Sequence, residues 1–134
     1  MKAHVTAYLA TAAAFFPLDF LWLGLVAREF YRSRLGPLLL QPFNMPAAVG
    51  FYAVYVVGIV IFAVAPALAA GSWRTALVYG GLFGFFCYAT YDMTNLATLK
   101  GFPVSVAAVD IVWGTVLTAT AATIGYAITR AVLD

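Results

Sequence analysis

The chain has 134 residues, of which 65% are hydrophobic and 9% charged, with a formal net charge of +2. Soluble domains are about 45–50% apolar and about 25% charged, so this composition has too few polar side chains to cover a surface in water, and the bilayer is its main solvent. The absence of a basic run argues against a nucleic-acid partner. The single cysteine, Cys87, excludes an internal disulfide and reads as a small buried hydrophobe.

The pattern predicts one all-α domain, an integral membrane bundle of four transmembrane helices at about 5–27, 47–70, 73–99 and 104–130. Lys2 precedes an apolar run containing Ala12-Ala13-Ala14, as in a signal peptide. Hydrophobicity nevertheless continues through Leu25-Val26 for about 22 residues, which fits a retained spanning helix. Pro17 removes a backbone hydrogen bond and is expected to kink this helix beside Asp19. The connection at about 28–46 carries Arg28, Glu29, Arg32 and Arg34, then a Leu38-Leu39-Leu40 patch. It reads either as a short element at the membrane interface or as an ordinary juxtamembrane loop.

The second segment has no ionisable group except the phenols of Tyr52 and Tyr55, and reads as lipid-facing scaffold. Gly71 suits a helix stop and Ser72 an N-cap. In the third segment, Gly80, Gly81 and Gly84 form a small-xxx-small face. That face suits close helix packing or the docking of a second copy or a membrane partner, or its glycines are simply tolerated in a membrane helix. Helical spacing then carries Gly84, Tyr88, Tyr91, Asp92 and Asn95 onto one stripe expected to face the bundle, with Thr94 beside it. Lys100, Gly101 and Pro103 make a tight turn into the fourth segment, which holds Asp110, Trp113, Gly114 and a run of threonines.

Counting from the side reached by the first loop, Asp19, Asp92 and Asp110 each lie about five to eight residues inside their helices. At about 1.5 Å per residue, all three sit roughly 8–12 Å below one surface. A carboxylate at bilayer depth costs about 2.5–3.5 kcal/mol or more, so three at one level mark a site. Trp22 and Trp113 are expected to bracket the acids from above and below. The acids cannot all be ionised without compensation. One holds a proton, or a cation shares the site, or a basic group among Arg28, Arg32, Arg34 and Lys100 reaches in. With Asn95 these are hard oxygen groups, and Asp19, Asp92 and Asp110 would be the ligands if Mg²⁺ or Ca²⁺ bound. His4 lies at the other end of the bundle, no phosphate-binding loop is present, and no cofactor is evident. Lys2, Arg74 and Arg130 on one side against Arg28, Arg32, Arg34 and Lys100 on the other tip the first-loop side toward the cytoplasm.

The run Tyr91-Asp92-Met93-Thr94-Asn95-Leu96-Ala97-Thr98-Leu99, followed by Pro103 and Asp110-x-x-Trp113-Gly114-Thr115, resembles a family of small bacterial membrane proteins catalogued as a domain of unknown function. Pro17-x-Asp19-x-x-Trp22 matches the same pattern, and the resemblance covers nearly the whole chain. It implies a four-helix inner-membrane protein and carries no activity.

Three functions stay open from sequence. The acidic pocket binds or transports a small cation, a proton or an amphiphile's head group. Alternatively the chain is a membrane enzyme on a lipid-phase substrate, with Asp92 or Asp110 as acid/base. In the third, it is an accessory subunit in which the acids only tie helices together.

Overall fold

The computed structural model describes residues 1–40 and 42–134, all-α and without a strand among them. Helix α1, Lys2–Leu21, continues into a π-helical turn at Trp22–Val26. A short α2, Arg28–Leu35, and a 3₁₀ turn, Gly36–Leu38, make up the first connection. Helix α3, Met45–Ile59, runs through a second π turn, Val60–Val64, into α4, Ala65–Ala70. The remaining elements are α5, Trp73–Thr98, and α6, Val104–Leu133.

Among the described residues, three helical runs are long and apolar enough to cross a bilayer: Lys2–Val26, Met45–Ala70 and Val104–Leu133. Helix α5 has 26 residues but is less apolar, since it carries Asp92, Asn95, three glycines and several tyrosines.

Local chemistry accounts for the helix ends. The Asn44 side chain accepts from the Ala47 N–H at 3.2 Å, and Pro46 follows in the first turn, where its missing N–H costs nothing. Gly71, at φ 65°, takes the left-handed conformation that closes α4. Ser72 occupies the capping position of α5, but its side chain makes no cap hydrogen bond, contrary to expectation. Helix α1 stays α-helical through Pro17. The irregularity comes one turn later than expected, where the Ala27 N–H bonds the Trp22 carbonyl five residues back at 2.7 Å.

Helix α6 is the centre of the bundle, with α5 along one side and α1 along another. Small residues allow this closeness. A side chain at Gly80 would meet the Ala122 methyl at 2.8 Å, and one at Gly84 would meet Thr118 at 2.7 Å and run into the Gly114 carbonyl. The glycine face of α5 thus serves close helix packing, as its spacing predicts, and Gly80 and Gly84 are buried against α6 and not presented to a partner. Gly125 of α6 likewise admits Thr11 of α1. Thr115, Thr123 and Thr129 return their hydroxyls to carbonyls four residues back at 2.6–2.8 Å, so these polar side chains satisfy themselves within the helix.

The second segment is more than lipid-facing scaffold. Phe51, Val54 and Val57 are exposed, but Tyr55, Val56, Ile59, Ala63 and Val64 are buried with Phe15 and Leu117 in the core.

Candidate functional site

The site lies where the ends of α1, α3, α5 and α6 meet beneath α2. Asp19 is 4% exposed, and both of its oxygens are satisfied by other elements. Trp113 of α6 donates its indole N–H to Asp19 Oδ1 at 3.0 Å, and the Tyr52 phenol of α3 donates to Asp19 Oδ2. One carboxylate thus joins three helices. Hydrogen bonds to a charged group are worth about 1.5–3 kcal/mol each, which makes Asp19 the anchor of the cluster.

Asp110 is held differently. Tyr31, on α2, donates its phenol to Asp110 Oδ1 at 2.9 Å and accepts the Trp22 indole N–H at 3.2 Å. Burial, and then the adjoining Asp110 carboxylate, hold the Tyr31 phenol above its ordinary value, so it remains a donor. Trp22 and Trp113 do not bracket the acids. They stack on each other, ring centroids 4.3 Å apart and planes 8° from parallel, and form a two-indole plate that serves Asp19 directly and Asp110 through Tyr31.

Asp92 has neither kind of support. It is fully buried, and the polar group against it is another acid, the Asp110 carboxyl; no other N–H or O–H donates to its oxygens. Beside this pair a cavity of about 370 Å³ opens between α3, α5 and α6. Its walls are Phe51, Tyr55, Cys87, Tyr88 and Tyr91, and Asp110 is the one charged group on its lining. Tyr55 is fixed from behind by a hydrogen bond with Thr118 at 2.9 Å, and Tyr88 lies against Gly114, where only a glycine leaves room for the ring.

The structure gathers Asp19, Trp22, Tyr88, Asp92, Asp110 and Trp113. Several expected members stand apart. Tyr91 is 62% exposed and reaches the cavity from its outer edge, not from the inward stripe. Asn95 is half-buried without a side-chain hydrogen bond among the described residues, and Thr94 is exposed. None of Arg28, Arg32, Arg34 and Lys100 pairs with the acids. Arg32 lies 4.0 Å from Glu29, Arg34 covers the Phe30 ring at 4.2 Å, and Arg28 and Lys100 are exposed. The three aspartates also fail to converge as ligands: among the described residues no three acidic, histidine or cysteine side chains form a metal-holding group. The hard-cation set of Asp19, Asp92 and Asp110 is corrected accordingly. Two of these carboxylates are turned to separate donors on separate helices.

Tyr31 and Tyr52 are the site residues that sequence reasoning missed. Tyr52 stands three residues before Tyr55 in an otherwise apolar segment, a spacing that puts both phenols on one helix face. Tyr31 had no such signal, because only the fold of α2 over the bundle brings it to Asp110.

No curated protein and no solved structure matches the chain. Residues 4–127 match the family described as "Predicted membrane protein (DUF2177)", and the chain belongs to that family of membrane proteins.

Proposed function

We propose that the protein binds, and moves across or within the membrane, an amphiphile with a cationic head group, exchanging it for a proton. The observation that carries this reading is an acid pair without a counter-charge. Asp92 is buried against Asp110, Asp110 faces an aromatic cavity, and no described basic side chain pairs with either. An unpaired buried charge is costly, so such a pair demands a proton or a positive ligand. Aromatic faces beside a carboxylate suit an alkylammonium or similar soft cation, since each ring–cation contact contributes about 0.5–2 kcal/mol. The exposed rings of Phe51 and Tyr91 at the cavity's edge support entry sideways, from lipid.

This reading takes α5 as a fourth membrane span. Its 26 residues cover about 39 Å at about 1.5 Å per residue, more than the hydrocarbon core requires. Its polar and small positions, Asp92, Gly80 and Gly84, are buried, while Leu77, Val78, Leu82, Phe85, Phe86 and Met93 face outward. On the resemblance to bacterial inner-membrane proteins, we assign the chain to that membrane.

The test is calorimetric titration of the purified protein with tetraphenylphosphonium in two buffers of different ionisation enthalpy. Wild type should bind with release of about one proton. Asp110→Asn should weaken binding roughly tenfold or more, about 1.4 kcal/mol or above. Unchanged affinity in folded Asp110→Asn and Asp92→Asn proteins rejects the reading.

A further inference from the structure

A second cavity, of about 430 Å³, lies on the other side of Tyr31 between α2 and the π turn that ends α1. Arg28 and Arg32 line it, together with Tyr31, Leu35, Leu39 and Phe43. The two arginines stand four residues apart, hence on successive turns of the same face of α2. Neither has a firm protein partner. Arg28 makes no ion pair among the described residues, and Arg32 has only Glu29, at 4.0 Å and with a carboxylate side chain 83% exposed. Gly24 also belongs to the lining, and a side chain there would meet nothing within 4 Å, so the space beside it is open.

This combination is specific. Helix α2 buries none of its own residues, so packing does not explain why it holds two guanidinium groups over an apolar floor. Leu38, Leu40 and Phe43 around it are 55–61% exposed, a surface suited to lipid and not to water. Guanidinium groups present paired donors that match phosphate oxygens, and apolar walls match acyl chains. We infer that this cavity is a binding site for one anionic phospholipid, its phosphate held by Arg28 and Arg32 and its chains laid against Leu35, Leu39 and Phe43. The site is separate from the aromatic cavity and does not depend on what that cavity binds.

The experiment is native mass spectrometry of the full chain released from nanodiscs of phosphatidylcholine containing a minor fraction of phosphatidylglycerol. Wild type should retain one phosphatidylglycerol, enriched about thirty-fold over its share, as about 1 kcal/mol per arginine in favour of a head group whose phosphate charge no choline neutralises would give. Arg28→Gln/Arg32→Gln should lose the enrichment, and Arg28→Lys/Arg32→Lys should keep only part of it. Arg34→Gln/Lys100→Gln removes the same charge from the same membrane side but outside the cavity and should keep all of it. Equal loss in that control means diffuse attraction to a basic surface and overturns the site. So does the absence of enrichment in wild type, or its persistence in Arg28→Gln/Arg32→Gln. Millimolar inorganic phosphate should not displace the lipid; displacement would make free phosphate the ligand and overturn the assignment to phospholipid.

Discussion

Trp22 lies flat on Trp113, 4.3 Å between ring centroids, yet the two indole N–H groups serve different acceptors, Tyr31 and Asp19. The stack joins the end of α1 to α6, and its two N–H groups sort the nearby acids into unlike roles. Asp19 is saturated with donors, Asp110 has the Tyr31 phenol, and Asp92 has only the Asp110 carboxyl beside it.

Trp113→Phe keeps an aromatic face for the stack but withdraws the donor from Asp19. It should destabilise the protein by about 1.5–3 kcal/mol, read as the unfolding midpoint in mixed micelles. Tyr52→Phe, which removes the other donor, should cost a similar amount. A midpoint unchanged in both would mean that Asp19 is not the anchor.

Asp92→Asn and Asp19→Asn should behave oppositely. Asp92 faces only another acid, Asp110, and an amide there still offers Asp110 a donor, so its variant should unfold no earlier than wild type while tetraphenylphosphonium binding falls. Asp19→Asn should lower stability by about 1–3 kcal/mol, because one of its two donors would face an amide N–H. Matched losses of stability in both variants would return the whole cluster to a structural role.

Gly84→Val should be severely destabilising, by about 3 kcal/mol or more, since its Cβ meets the Gly114 carbonyl and Thr118 and neither backbone can withdraw. Gly81→Ala, three residues earlier, meets only the Ala119 methyl at 3.7 Å and the Thr115 methyl at 3.9 Å, ordinary contacts, and should fall within about 0.5 kcal/mol of wild type. Folded yield and unfolding midpoints of the two variants test whether α5 and α6 pack as tightly as described.

Tyr91→Ala separates binding from folding. The side chain is 62% exposed and edges the aromatic cavity, so stability should change by less than about 0.5 kcal/mol. Tetraphenylphosphonium affinity should fall roughly two- to fivefold, about 0.5–1 kcal/mol for an exposed cation–π contact. An affinity equal to wild type would remove Tyr91 from the site.

Much of this protein is written locally. Three spanning runs follow from length and hydropathy, and Gly71 and the Asn44-x-Pro46 start mark helix ends within a residue or two of where composition puts them. The cost of a carboxylate in an apolar helix singles out Asp19, Asp92 and Asp110 in the sequence, and Asp19 and Asp92 are indeed buried. What each acid touches was not readable. That depends on how each helix is rotated about its axis and which helices are neighbours, and nearly all-apolar segments carry little periodicity to set either. Only the packing of α6 against α1 and α5 turned two separate Asp-x-x-Trp runs into one stack, closed the Gly80–Gly84 face inside the chain, and brought Tyr31 and Tyr52 to the acids. The same packing buried Asp92 against Asp110, so the group it meets at that depth of α5 is a second acid and not a basic side chain.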